Sequence, residues 1–243
     1  MISLPVESVS FNNLGYLKTK LPQDLYKSLL KECYQVQKNN KKMVSNLSGA
    51  GVPVHYDLKN KQNMKKLTKL LNFLVPEYEK QFPGLLQMKP FTGDLPLVFG
   101  TPWVNLQKKH EFLPNHKHEG VYSYNIWMSI PYEFSEELKN GGDHASSFEF
   151  SYLNVIGHSC SHFLKLGKED EGTLILFPSQ LQHCVYPFFT TNKLRVSIAG
   201  NILLRGDTKS LPQEGAVGGR WSVRGISRPR QNVSREGTNF LKR

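Results

Sequence analysis

Residues 112–131 read FLPNHKHEGVYSYNIWMSIP. The second half alternates and is rich in aromatics, the texture of a half-buried strand over 121–130. Just ahead of it, two of the chain's eight histidines, His116 and His118, flank one lysine. Side chains two apart on an extended chain point the same way, so both imidazoles can reach one spot. An H-x-H of this kind is half of a metal site or the polar edge of a hairpin, and its spacing alone leaves both open.

Reading outward, Pro and Gly punctuate short runs rich in Val, Ile, Phe and Tyr from residue 91 onward. Strands are expected near 97–107, 121–130, 146–154, 160–166, 173–177, 183–189 and 194–204, with turn signals in NGGD at 140–143 and KEDEGT at 168–173. Toward the N-terminus the texture is helical. Apolar residues at 25, 26, 29, 30, 33 and 36 predict a helix over 21–38 with Pro22 in its first turn. Met64, Leu67, Leu71, Leu74 and Tyr78 predict a second, which Pro76 is expected to kink or interrupt. Two helices followed by seven or eight short strands read as mainly β with flanking helices, an antiparallel sandwich or jelly roll.

The chain has 243 residues, enough for one domain with a full core. That domain is expected over 1–205, with a helical N-terminal part to residue 90 and the β core over 91–205. The remainder, 206–243, is Gly-, Ser- and Arg-rich and reads as a basic, extended or disordered tail. No apolar run approaches the roughly 20 residues needed to span a bilayer, and MISLPVESVSFNN lacks the features of a signal peptide. No membrane partner is therefore expected, and the cytoplasm is the expected compartment. Cys33, Cys160 and Cys184 are an odd set with no C-x-x-C, and read as reduced and structural. The net charge of +11 invites a nucleic-acid reading, although the lysines of the first third fall on expected helix surfaces and loops.

A third histidine has more context. GTLILFPSQLQHCVYP, 172–187, gives an apolar strand, a turn at Pro178 and Ser179, and His183 at the start of the next strand. Further on, Arg195 interrupts an alternating strand; such an arginine either snorkels outward or meets a buried anion, and His183 nearby favours the anion. A redox-active iron enzyme needs facial protein ligands, open positions for a bidentate co-substrate and dioxygen, and a cation for the co-substrate's far carboxylate. His116, His118, His183 and Arg195 supply that set. Asn105 and Tyr124, or Ser123, can donate hydrogen bonds from neighbouring strands, or serve as polar groups of the hairpin surface or core. Trp103, Trp127 and Phe177 are expected in the core. His55, His110, His144, His158 and His162 are expected in turns or at polar positions away from the metal, and Asp143 is a reserve carboxylate.

The segments NHKHEGVYSYNIWMSIP, LILFPSQLQHCVYPFF and LRVSIAGNI together resemble the iron(II)- and 2-oxoglutarate-dependent oxygenases, specifically those of tailed phages, notably phages of cyanobacteria. The resemblance spans residues 95–205. It implies a double-stranded β-helix of cupin type and the cofactors Fe(II), 2-oxoglutarate and dioxygen. It also implies His183 as the distal ligand, and Arg195 with Ser197 on the co-substrate's C5 carboxylate. H-x-H stands where most relatives have H-x-D, and Glu119 is one residue out of phase. Either His118 is a third ligand, or His116 and His183 hold the iron with water in the place of the missing carboxylate, or His118 replaces His116; His116 ranks first. The implied activity is hydroxylation, with a protein or peptide residue favoured as substrate, in the host cytoplasm if the chain is phage-encoded. Two other readings stand beside it: a non-catalytic binding or virion-associated jelly roll, and a nucleic-acid-directed oxygenase gripping phosphates with Arg220, Arg224, Arg228, Arg230, Arg235, Lys242 and Arg243.

Overall fold

A computed structural model describes residues 14–39, 51–83, 85 and 97–204. The basic tail expected over 206–243 lies outside the described residues. In chain order the elements are β1 (Leu17–Lys20), α1 (Gln23–Asn39), β2 (Val54–Asp57), α2 (Lys61–Gln81), β3 (Leu97–Phe99), β4 (Trp103–Gln107), β5 (Leu113–His116) and β6 (Tyr122–Ser129). There follow α3 (Phe134–Gly141), β7 (Phe148–Leu153), β8 (Ser159–Leu164), β9 (Thr173–Pro178), β10 (Gln182–Val185) and β11 (Arg195–Leu204).

The strands form two antiparallel sheets. The larger runs β1-β9-β6-β11-β4-β2, with β3 paired to the far end of β11; the smaller runs β5-β10-β7-β8. This is a jelly roll, as the strand texture predicts. Period-two alternation sorts each strand of the larger sheet between two cores. Val104, Ile126, Leu174, Leu176 and Ile198 pack against Leu25 and Leu29 of α1 and Leu67 and Leu71 of α2. Trp127, Ile175 and Phe177 turn the other way and meet Phe148, Phe150 and Leu164 of the smaller sheet. Trp127 and Phe177 are therefore core, as expected.

Glu32, midway along α1, accepts hydrogen bonds from the backbone of Lys59 and Asn60 and from Asn63 Nδ2 at 2.7 Å, tying α1 to the start of α2. Asn60 caps α2 by accepting from the backbone N–H groups of Gln62 and Asn63. Of the kink or interruption expected at Pro76, the interruption does not occur: α2 runs through it, and Pro76 and Asn72 are both on the exposed side, where water can satisfy the carbonyl that proline leaves without a donor. The strand expected over 97–107 is split into β3 and β4. The one expected over 183–189 ends at Val185, two residues before Pro187. Four elements were not anticipated. β1, β2 and β5 have four residues each and α3 has eight, too few for a period to show.

Candidate metal centre

β5 and β10 pair so that His116 lies directly opposite His183. His118 sits two residues beyond the end of β5, outside any strand. Its N–H donates to the Ser179 carbonyl at 2.8 Å and its carbonyl accepts from Gln180 Nε2 at 3.1 Å, so both of its main-chain groups are held by the turn between β9 and β10. His116 Nδ1 is 2.7 Å from the Pro114 carbonyl and His183 Nδ1 is 2.9 Å from that of Leu181. A carbonyl only accepts, so both rings carry their proton on Nδ1 and present a bare Nε2.

Ring centroids of His116 and His183 are 4.3 Å apart, and His118 lies 5.0 Å from each. One donor nitrogen from each ring lies within 4.8 Å of the others, and His118 Nε2 is 3.2 Å from His183 Nε2. Two nitrogens bound at about 2.1 Å and at right angles on one ion sit about 3.0 Å apart, so the spacing suits adjacent ligands of a single metal. Burial, reinforced by repulsion from the neighbouring rings, pushes His183 down to about 2 and His118 down to about 3; burial also lowers His116, against the opposing pull of its Pro114 bond. Neutral imidazoles are the form that ligates. Among the described residues no carboxylate joins this cluster. Glu119 and Asp143 are both exposed.

The three histidines border a cavity of about 350 Å³ between the sheets. Trp127, Phe148, Phe177, Leu113 and Val185 supply apolar wall. Asn105 and Ser197, directly opposite each other on β4 and β11, supply polar wall, and Asn105 Nδ2 donates to Ser197 Oγ at 3.1 Å. Tyr124 borders the same space, but its ring belongs to the helix-side core and its hydroxyl lies over Gly200. Strand alternation explains why: the cavity side of β6 carries Asn125 and Trp127, so Tyr124 faces the helices, and the donor role expected of it is not one its hydroxyl can play from that side.

Arg195 shares the cavity side of β11 with Ser197 and is 2% exposed, yet it is not part of the cavity lining. All five of its N–H groups are engaged. Nε and Nη2 donate to Gln107 Oε1, Nη1 to the Tyr132 hydroxyl at 2.6 Å and the Ser146 carbonyl at 2.7 Å, and Nη2 also to the Tyr186 carbonyl at 2.7 Å. Every acceptor is neutral, and none of the ion pairs among the described residues includes Arg195. It is a buried positive charge one residue behind the wall, reached through Gln107, which does line the cavity.

Sequence reasoning missed several lining residues. Gln107 could have been found, being two residues from Asn105 on one strand face. His55 was expected away from the site; it lies in the short edge strand β2, opposite Asn105, and reaches the cavity. Trp103, expected in the core, is half-buried and stands 5.7 Å from the ring of His118. Lys117, between the two histidines, also borders the cavity.

Residues 101–201 match the sequence model of a family described as "Putative 2OG-Fe(II) oxygenase". No curated protein matches the chain. A Pseudomonas putida prolyl-4-hydroxylase is similar in structure, with a TM-score of 0.54 at 14% identity over 79% of this chain and 93% of that one. A Trichoplax adhaerens prolyl hydroxylase, solved with a hypoxia inducible factor oxygen degradation domain peptide fragment, gives 0.53 at 11% identity over 78% and 84%. The epimerase SnoN of nogalamycin biosynthesis, a non-haem α-ketoglutarate-dependent protein, gives 0.54 at 14% identity over 85% and 88%. At such identities the likeness is one of fold. Residues 101–201, which carry all three histidines, are thus similar in sequence to the family described as 2OG-Fe(II) oxygenase, and the chain shares the fold of the two prolyl hydroxylases and of SnoN.

Proposed function

We propose that the protein is an Fe(II)- and 2-oxoglutarate-dependent dioxygenase that hydroxylates a protein or peptide residue, built as a single oxygenase domain over residues 1–205. The observation that carries this reading is the convergence of three neutral histidines, two with their Nε2 atoms bared by backbone carbonyls, on a cavity between the two sheets. The donor set fits the metal: imidazole suits iron(II), and the nitrogen spacing suits adjacent ligands. His116, His118 and His183 hold the iron. When bound, iron, 2-oxoglutarate and dioxygen supply the oxidising power, with the co-substrate leaving as succinate and carbon dioxide and a substrate C–H becoming C–OH.

The chain's own residues position and enclose. Ser197, whose oxygen already accepts from Asn105, keeps its hydroxyl hydrogen for the co-substrate, and Asn105 fixes where that hydroxyl sits. Arg195 contributes the buried positive charge that a dianionic co-substrate needs at its far end, and Gln107 lies between them. Trp127, Phe148 and Phe177 exclude water. The peptide preference draws on the two prolyl hydroxylases, one of them solved with a peptide. Among the described residues no helix is long and apolar enough to cross a membrane. We read the cytoplasm as the site of action, the host's if the gene is a phage's. The basic tail favours a second reading, in which the same oxygenase is directed to nucleic acid.

Anaerobic titration with Fe(II) and then 2-oxoglutarate tests the proposal. A weak visible charge-transfer band is expected, lost in His183→Ala and requiring more 2-oxoglutarate in Arg195→Ala. A folded, metal-loaded protein without that band refutes the enzyme reading and favours a non-catalytic jelly roll.

A further inference from the structure

The three histidines depend on a slender piece of structure. β5 is an edge strand joined to its sheet only through β10, by two residue pairs with an irregularity between them. β10 itself has four residues and is joined onward only to β7. The positions of His116 and His183 are therefore set by how β10 lies on β7, together with the short turn that joins β10 to β9.

One side chain clamps that junction from the outer face. Glu149 of β7 lies opposite Cys184 of β10, and the residue as a whole is 8% exposed. Oε2 accepts from the Tyr186 hydroxyl at 2.8 Å and from Cys184 Sγ at 3.4 Å; Oε1 accepts from Ser161 Oγ of β8 and from Ser151 Oγ at 3.3 Å. Three strands thus meet at one carboxylate. Two of its four donors belong to the segment that begins with His183, and the second of them, Tyr186, gives its carbonyl to Arg195. A buried charge held only by neutral donors is a costly way to join strands, and an apolar pair would do so at less expense. A carboxylate, however, accepts at both oxygens and locks all four donors in one arrangement, which neither an amide nor an apolar side chain can do.

We propose that Glu149 is a positioning residue for the metal centre, acting through Cys184 and Tyr186 to fix β10 and with it His183, His116 and the Tyr186 carbonyl that holds Arg195. The inference rests on the reading of the three histidines as an iron site. Glu149→Gln, nearly the same in size, puts an N–H₂ where an acceptor stood and sets two donors against each other. Anaerobic Fe(II) titration of the full chain is expected to show affinity about tenfold or more weaker, the scale on which outer partners of metal ligands act. The visible spectrum of the Co(II)-loaded variant is expected to shift, reporting altered ligand geometry.

Glu32→Gln is the control, because Glu32 is as buried and accepts three hydrogen bonds but ties α1 to α2. It is expected to lower the melting temperature while leaving Fe(II) affinity and the Co(II) spectrum unchanged. Should Glu149→Gln fail to fold, Tyr186→Phe removes a single donor, keeps the backbone carbonyl, and is expected to shift the Co(II) spectrum in the same direction. Wild-type affinity and spectrum in whichever of these variants folds would overturn the proposal. So would equal losses of metal affinity in Glu32→Gln and Glu149→Gln, which would mark both as merely structural. A wild-type protein that binds no Fe(II) would instead overturn the iron site itself.

Discussion

His118 occupies a position where its backbone is pinned at both ends, by Ser179 and Gln180, before its ring does anything. A side chain presented by so fixed a backbone tolerates exchange for another ligand better than exchange for none. His118→Asp is expected to retain Fe(II) binding in an anaerobic titration. His118→Ala is expected to weaken it by at least the roughly 10–100-fold that loss of an outer partner of a ligand costs. On the far side of the larger sheet, Gly200 lies beneath Tyr124: a Cβ placed there would collide with the Tyr124 hydroxyl. Gly200→Ala is expected to cost about 1–3 kcal/mol of stability, read by denaturant unfolding, as overpacked cores do. At this scale the sequence was legible where chemistry is rare. Three histidines and one arginine stood out because few residues can do their work. Tyr124 was left between the two because a tyrosine serves core and site alike, and only the strand's phase, fixed by Trp127 on the opposite side, tells which way its hydroxyl points.

Among elements, α2 carries Pro76 on its exposed side without breaking. Replacing it by alanine restores one backbone hydrogen bond and removes the ring's clash. Pro76→Ala is expected to raise stability by about 1–3 kcal/mol in thermal or denaturant unfolding. β7 carries a titratable clamp. Burial pushes the Glu149 carboxyl up, but bonds from Ser161, Tyr186, Cys184 and Ser151 outweigh it and hold the group below its ordinary value of 4.5. A carboxyl depressed in the folded state contributes stability above its unfolded pKa and loses it as pH falls through the folded value. Unfolding followed from pH 7 downward is thus expected to show wild type losing more stability below about pH 4.5 than Glu149→Gln does. The long helices and strands were readable because their periods repeat. β2 and β5 were not: four residues complete barely two alternations, and both are edge strands of mostly intermediate burial, so no clean alternation of apolar and polar residues marks them. These short edges bring His55 and His116 to the cavity.

At the scale of the whole molecule, the positive charge is expected to act through the tail. In a salt titration of single-stranded DNA or RNA binding, deletion of 206–243 should flatten the slope of affinity against salt, each lost phosphate contact removing about 0.7. An unchanged slope would assign the tail to a protein partner or to solubility. The jelly roll was legible from the count and spacing of strands, and the resemblance of residues 101–201 to the oxygenase family from three short segments in the right order. The inner arrangement of Arg195 was not, because its partners come from four separate parts of the chain: Gln107, Tyr132, Ser146 and Tyr186. The two sheets are also unequally protected. Two long helices cover the outer side of the larger sheet, whereas the smaller one, bearing His116 and His183, has a four-residue strand at its centre. Amide protons of β6, β9 and β11 should therefore outlast those of β5 and β10 in deuterated water, with the smaller sheet opening as a separate cooperative unit. An ion held by His116, His118 and His183 would slow that opening most, so the metal's largest effect on durability would fall on the least durable part of the fold.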